Sequence, residues 1–176
     1  KCLFDQGIRD IVAVEPNTEM REAGIKKFGS LIKFSSGAAE NTGLESSSYD
    51  LVSMASSFHW PDTNKALSEF DRVLKSNGKF IAIWNPRLTE KSSVEKLVQE
   101  TLTEKYGVQS RVSSGLSGIT NKLTETLLDS GYFKSVVYLE AEDLVQRTRD
   151  EYVGGWRSVN DIQSQLGEKN FRMFLD

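Results

Sequence analysis

The chain has 176 residues, with 22 Lys and Arg against 25 Asp and Glu, one His, one Cys, 38% hydrophobic and 27% charged residues. These are the values of an ordinary globular domain, long enough to bury a core without metal or disulfide staples, so fibrous, disordered and disulfide-framework classes are excluded. A net charge of −3 supplies no excess positive potential for nucleic acid, no stretch nears the roughly 20 apolar residues of a membrane span, and one Cys with one His makes no structural zinc site.

The N-terminus lacks the charged head and apolar run of a signal peptide, since Asp5, Gln6 and Gly7 follow Lys1-Cys2-Leu3-Phe4 at once. The setting expected is reducing and cytoplasmic, with no metal, no membrane and no nucleic-acid partner. Lys1 in place of Met leads us to expect further residues upstream. In chain order, short apolar runs predict strands at Ile11 to Glu15, Leu31 to Phe34, Tyr49 to Met54, Lys79 to Trp84 and Ser135 to Leu139. Most are continuous rather than alternating, which suits strands covered on both faces of a parallel sheet. Helices are predicted between them, at Thr18 to Phe28 after the cap Asn17, and from a cap at Asp62 or Thr63 to Leu74. The second helix places Ala66, Phe70, Val73 and Leu74 on one face, with Glu69, Arg72 and Lys75 at polar positions. Further helices are predicted at Ser92 to Tyr106 and Ile119 to Ser130, separated by a mobile loop from Ser110 to Gly118, and the apolar tail from Glu151 is helical. Gly131 is read as the terminator of the Ile119 helix.

Repeated strand-helix-strand alternation implies an α/β fold: a doubly wound, mostly parallel, Rossmann-like sheet with helices on both faces, incomplete at both ends. Nothing marks a boundary within 1–176, so one domain is expected. Ligands of such sheets bind outside the carboxyl ends of the strands. Four places there are informative. Glu15, ending Val12-Ala13-Val14, is of the type that accepts both hydroxyls of a ribose, or else a plain strand-end acid. Met20 on the next helical turn lies against an adenine face or simply packs. Ser36-Gly37-Ala38-Ala39-Glu40 lets backbone approach a flat base, with Glu40 reading its edge, or is an ordinary turn. Tyr49 to Pro61 opens from a strand into the small residues Ala55 and Ser56, then into Phe58-His59-Trp60 with the one His of the chain. His59 there lines a pocket or plays a structural part, and Phe58 and Trp60 face a ligand or the core. Asn77-Gly78 is a tight turn leading into the strand that ends at Trp84.

In this order and spacing, VAVEPNTEM, GAAENTGL, YDLVSMASSFHW and RVLKSNGKFIAIWNPR resemble the class I methyltransferases that use S-adenosylmethionine, specifically the small-molecule type 11 group, over about half the chain. The resemblance makes these segments the family's second strand, adenine-side loop, fourth strand, and fifth strand with its preceding helix and turn. It implies that Glu15 holds the cofactor's ribose, that Met20 and Ala39 with Glu40 flank adenine, and that Ala55, Ser56 and His59 approach the methionine end. Trp60 and Trp84 then face the substrate, and His59 is a candidate general base. Ser76-Asn77 replaces the family's usual Pro-Gly or Gly-Gly turn, and the family's glycine-rich loop after its first strand has no counterpart in residues 1–176. The expected reaction is in-line methyl transfer to a small-molecule acceptor selected by the segments Thr89 to Gly118 and Glu140 to Asn160. Two rival readings stand beside it: a truncated or non-catalytic methyltransferase-like chain that binds the cofactor poorly, and a nicotinamide-dependent oxidoreductase, whose ribose also takes a strand-end acid.

Overall fold

In the computed structural model, residues 2–85, 91–108, 119–158 and 160–176 are described. The predicted Ser110 to Gly118 loop, together with Pro86 and Arg87 of the last motif, lies outside them. The framework divides into two compact units, Lys1–Trp84 with Glu125–Val136, and Asn85–Thr124 with Val137–Asp176.

The first unit is α/β with parallel strands. After the short α1 (Cys2–Asp5) come β1 (Val12–Val14), α2 (Thr18–Phe28), β2 (Lys33–Ser35), β3 (Tyr49–Ala55), α3 (Thr63–Val73) and β4 (Leu74–Ile83). β1 pairs in parallel with β2, and β3 in parallel with β4. The two helix starts are set by the predicted side chains: Asn17 accepts from the Met20 N–H, and Asp62 from the Lys65 N–H. Each satisfies a donor that the first helical turn leaves unpaired.

α3 closes the core. Ala66, Leu67, Phe70 and Val73 on its inner face are buried, and so is Phe58, all on the side of β4 that carries Phe80. Phe58 and Phe80 rings lie 4.9 Å apart, Phe70 and Phe80 4.9 Å, and Phe80 and Phe133 6.1 Å. The register Val52↔Phe80 and Met54↔Ala82 sends one set of side chains to this face, whereas Ser53↔Ile81 and Ala55↔Ile83 point to the other. On that second face Ile81 and Ile83 are exposed. The predicted Asn77-Gly78 turn forms inside β4, where the pairing jumps from Tyr49↔Leu74 to Leu51↔Lys79. A Cβ at Gly78 would sit 2.8 Å from the Leu74 side chain, so only glycine allows the chain to double back so closely.

The second unit is helical: α4 (Ser93–Glu104), α6 (Arg149–Arg157) and α7 (Asn160–Leu175), while α5 (Ile119–Asp129) spans the boundary between the units. Its core is Leu102, Val108, Trp156, Ile162, Leu166 and Phe171, flanked by Tyr106, Tyr152 and Phe174. α6 begins with a reciprocal capping box between Thr148 and Glu151. α7 is broken at Gly167, with φ 70° and ψ 163°, a conformation almost confined to glycine.

Two expectations change. Ser135 to Leu139 does not form a strand, since residues 135–148 are neither helix nor strand. Apolar composition gives a segment only a propensity, and a strand exists when a neighbour completes its hydrogen-bond ladder. Glu69, read as one of the polar positions of α3, is buried, because a guanidinium and a threonine are held against it.

Candidate functional site

The site residues predicted from sequence gather at the carboxyl ends of the first unit's strands. Glu15 directly follows β1, and its N–H donates to the Ser35 carbonyl, extending the pair by one residue. Its carboxylate Oε1 accepts from the Asn17 N–H at 2.8 Å, and its carbonyl accepts from Arg21 Nη1 at 2.8 Å. The sequence reading missed Arg21, although a cation six residues past a strand-end acid was the available signal. Backbone and side chain of Glu15 are thus fixed, and Oε2 has no partner among the described residues. Met20 stands on the first turn of α2 with its side chain exposed.

The loop after β2 turns tightly through the Ala38–Asn41 bridge, which holds Ala39 and Glu40 at its tip. Gly37 is required by the fold of this loop, because a Cβ there would lie 2.8 Å from the Thr42 carbonyl and 3.0 Å from Val14. Glu40 Oε1 accepts from the Asp62 N–H at 2.9 Å. One carboxylate oxygen therefore ties this loop to the segment that follows β3. Two residues on, Thr42 N–H and Oγ1 donate to Glu69 Oε1 at 2.8 and 2.5 Å, while Arg72 Nε donates to Glu69 Oε2 at 2.7 Å. Arg72 Nη2 also reaches the Leu44 carbonyl, and Nη1 the Ser46 hydroxyl. The Arg72 guanidinium, helped by the Thr42 donors and opposed by burial, lowers the Glu69 pKa to about 2. This cluster clamps the loop that carries Ala39 and Glu40. The i, i+3 spacing of Glu69 and Arg72 was its one sequence signal.

At the end of β3, Ala55 is in register with Ile83, and the Ser56 N–H donates to the Ile83 carbonyl at 2.8 Å. Ser56 has φ 49°, uncommon for a residue with a side chain. The chain then descends through Phe58 into the core, which withdraws that ring from any ligand. His59 and Trp60 rings lie 4.7 Å apart, with Trp60 71% exposed. His59 Nδ1 and Trp84 Nε1 are both shut off from solvent without a hydrogen-bond partner among the described residues. Glu40 is tied to Asp62, two residues past Trp60; Ser56 is tied to Ile83, the residue before Trp84; and Glu15 is tied to Ser35, just ahead of the loop that carries Ala39 and Glu40.

A family described as "Methyltransferase domain" matches residues 1–82. An uncharacterized methyltransferase of Schizosaccharomyces pombe is 41% identical over 91 residues, which is 52% of this chain and 36% of that protein. An uncharacterized methyltransferase of Mycobacterium bovis is 35% identical over 88 residues, 48% of this chain and 34% of that protein. The matches span about a third of the length of these relatives. Among solved structures, one from Anaeromyxobacter dehalogenans, named a "Putative Type II Methyltransferase", superposes with a TM-score of 0.59 at 19% identity over 97% of this chain and 71% of that one. MccD protein superposes with a TM-score of 0.54 at 14% identity over 97% and 78%. Both likenesses concern the fold. Residues 1–82, just under half of the chain, match the methyltransferase domain family, and their strand ends carry the residues described above.

Proposed function

We propose that the protein transfers a methyl group from S-adenosylmethionine to a small-molecule acceptor by in-line displacement. The observation that carries this reading is Glu15: a carboxylate at a strand's carboxyl end, fixed through Oε1 and its own carbonyl, with Oε2 uncommitted. That arrangement suits a ribose hydroxyl, which needs a rigid acceptor. Met20, exposed one helical turn on, is placed to cover a base. Glu40 keeps one carboxylate oxygen for the same base, since the other holds Asp62. Ala39, Ala55 and Ser56 bring little side-chain bulk to the strand ends.

When bound, the cofactor supplies an electrophilic methyl on a positively charged sulfur that is already a good leaving group. The chain's own work is then chiefly alignment and exclusion of water. The exposed face of Trp60 favours a cationic ligand. His59, with Nδ1 sealed, presents Nε2 as the nitrogen able to take a proton from a bound hydroxyl or carboxylic acid. Trp84, at the end of β4, offers its indole ring rather than its sealed Nε1 to the substrate side. The mildly acidic chain favours a small molecule over nucleic acid as acceptor.

Calorimetric titration of residues 1–176 with S-adenosylmethionine tests this. Binding is expected to weaken roughly 10- to 100-fold in Glu15→Ala, the loss of a hydrogen bond to a charged group. An unchanged affinity in that variant would remove Glu15 from the site. A second reading, a methyltransferase-like chain that binds the cofactor poorly, draws support from the division of the strands into two separate pairs. No measurable heat with the unaltered chain would favour it, and preferential binding of NADH would favour a nicotinamide-dependent oxidoreductase.

A further inference from the structure

Between β3 and α3 the chain makes a short arch, residues 56–62, on which His59 and Trp60 stand. Its first limb is held twice. The Ser56 N–H donates to the Ile83 carbonyl, and the Phe58 ring is fully buried beside Phe70 and Phe80. Beyond Phe58 the hold is lighter. The Trp60 N–H closes a turn on the Ser57 carbonyl at 3.1 Å, and no other backbone hydrogen bond engages His59, Trp60 or Pro61 among the described residues. The next fixed point is the Asp62 N–H. Its acceptor is Glu40 Oε1 at 2.9 Å, 22 residues back in the chain.

Glu40 is itself firmly seated. It stands in the turn closed by the Ala38–Asn41 bridge, and two residues on Thr42 is bound through its N–H and Oγ1 to the buried Glu69 of α3. Glu40 to Asp62 and Thr42 to Glu69 are thus two rungs between one loop and one helix. The first is a charge-assisted bond at the start of α3, where a helix favours negative charge.

We propose that Glu40 is a positioning residue for the substrate side: through the Asp62 N–H it sets the far limb of the arch, and with it the orientation of the His59–Trp60 ring pair. These rings, on neighbouring residues, lie 4.7 Å apart at an angle of 39°. Side chains one residue apart meet in this way only when the backbone between them keeps a particular shape, because that shape selects the rotamers. Calling this limb the substrate side rests on the function proposed above. In that reaction one carboxylate serves both ligands, with Oε2 toward the base and Oε1 toward the rings that face the acceptor.

His59 is the one histidine of the chain, so its imidazole gives a single signal in proton–carbon NMR spectra of residues 1–176, recorded without cofactor. Trp60→Ala removes the neighbouring ring and sets the scale of the ring-current shift. Glu40→Ala is expected to move the His59 signal by at least half of that scale and to weaken the nuclear Overhauser contacts between the two rings. Glu40→Asp, one methylene too short to reach Asp62, should do the same, and it carries the test if the alanine variant does not fold. Glu40→Gln keeps a side-chain oxygen as acceptor and should retain the original signal. A shift below half the scale in folded Glu40→Ala or Glu40→Asp overturns the proposal, as does a glutamine variant that behaves like the alanine one. Because the measurement contains no cofactor, a failed titration with S-adenosylmethionine would strike the proposed function and not the placement of the rings by Glu40.

Discussion

Glu69 shows how one carboxylate holds a loop in place. With its pKa lowered to about 2 from an ordinary 4.5, chiefly by the Arg72 guanidinium, it is charged throughout the neutral range. A depressed carboxylate stabilises the fold fully above its unfolded pKa, and that stabilisation is lost as pH falls through the folded value. The shift corresponds to on the order of 3 kcal/mol. Chemical denaturation from pH 6 down to pH 2 should therefore show Glu69→Gln destabilised by about 2–3 kcal/mol at pH 6, with the gap closing between pH 4.5 and 2. A constant gap would show that packing, not charge, is what the residue contributes. The sequence displayed Glu69 and Arg72 on one helical face but gave no sign of Thr42, 27 residues away in the chain. Glu15 was legible for the opposite reason: its place depends on the strand just before it and the helix just after it. Phe58 was ambiguous because an aromatic after a strand serves a pocket or a core equally well, and only the rings of Phe70 and Phe80 beside it decide.

Among the elements, those set by local chemistry are the ones read most closely. α2 runs from Thr18 to Phe28 as expected, α3 takes Asp62 of the two caps expected, and α4 runs from Ser93 to Glu104 within the predicted Ser92 to Tyr106. Asp62 does double service, capping α3 with its carboxylate and holding Glu40 with its N–H. Asp62→Ala should lower stability by about 1 kcal/mol in thermal unfolding, the usual value of a lost cap. Because the Glu40 contact uses backbone, that contact should survive, and an Asp62→Ala variant with unaltered cofactor affinity would confirm the division of labour. In α7, Gly167→Ala should cost roughly 1–3 kcal/mol, since the residue must hold a conformation that side chains disfavour. A stabilised variant would mean that the helix prefers to run straight. Strands fared differently. β1 to β4 were found because each has a partner in register, while 135–139, with as good a composition, was not a strand because it has none.

For the whole molecule, the two units carry separate cores, the aromatic group around Phe58 and Phe80 in one and the group around Trp156 in the other. Trp156→Ala should cost roughly 3–5 kcal/mol, and hydrogen exchange should show the lost protection in residues 93–104 and 149–175 while β3 and β4 keep theirs. Loss spread evenly over both units would show that they unfold as one.

The sequence by itself determined the fold class, the cap of α2, the places of β1 to β4 and the acid Glu15 that follows β1. Each depends on periodicity or on neighbours a few residues away. Tertiary structure decided the rest: that Phe58 is core, that Gly37 makes room for Thr42, that Glu69 is a buried clamp and that 135–139 stays unpaired. Those outcomes turn on groups brought together from distant parts of the chain, and hydrogen-bond partners and excluded volume at that range leave no periodic trace in the sequence.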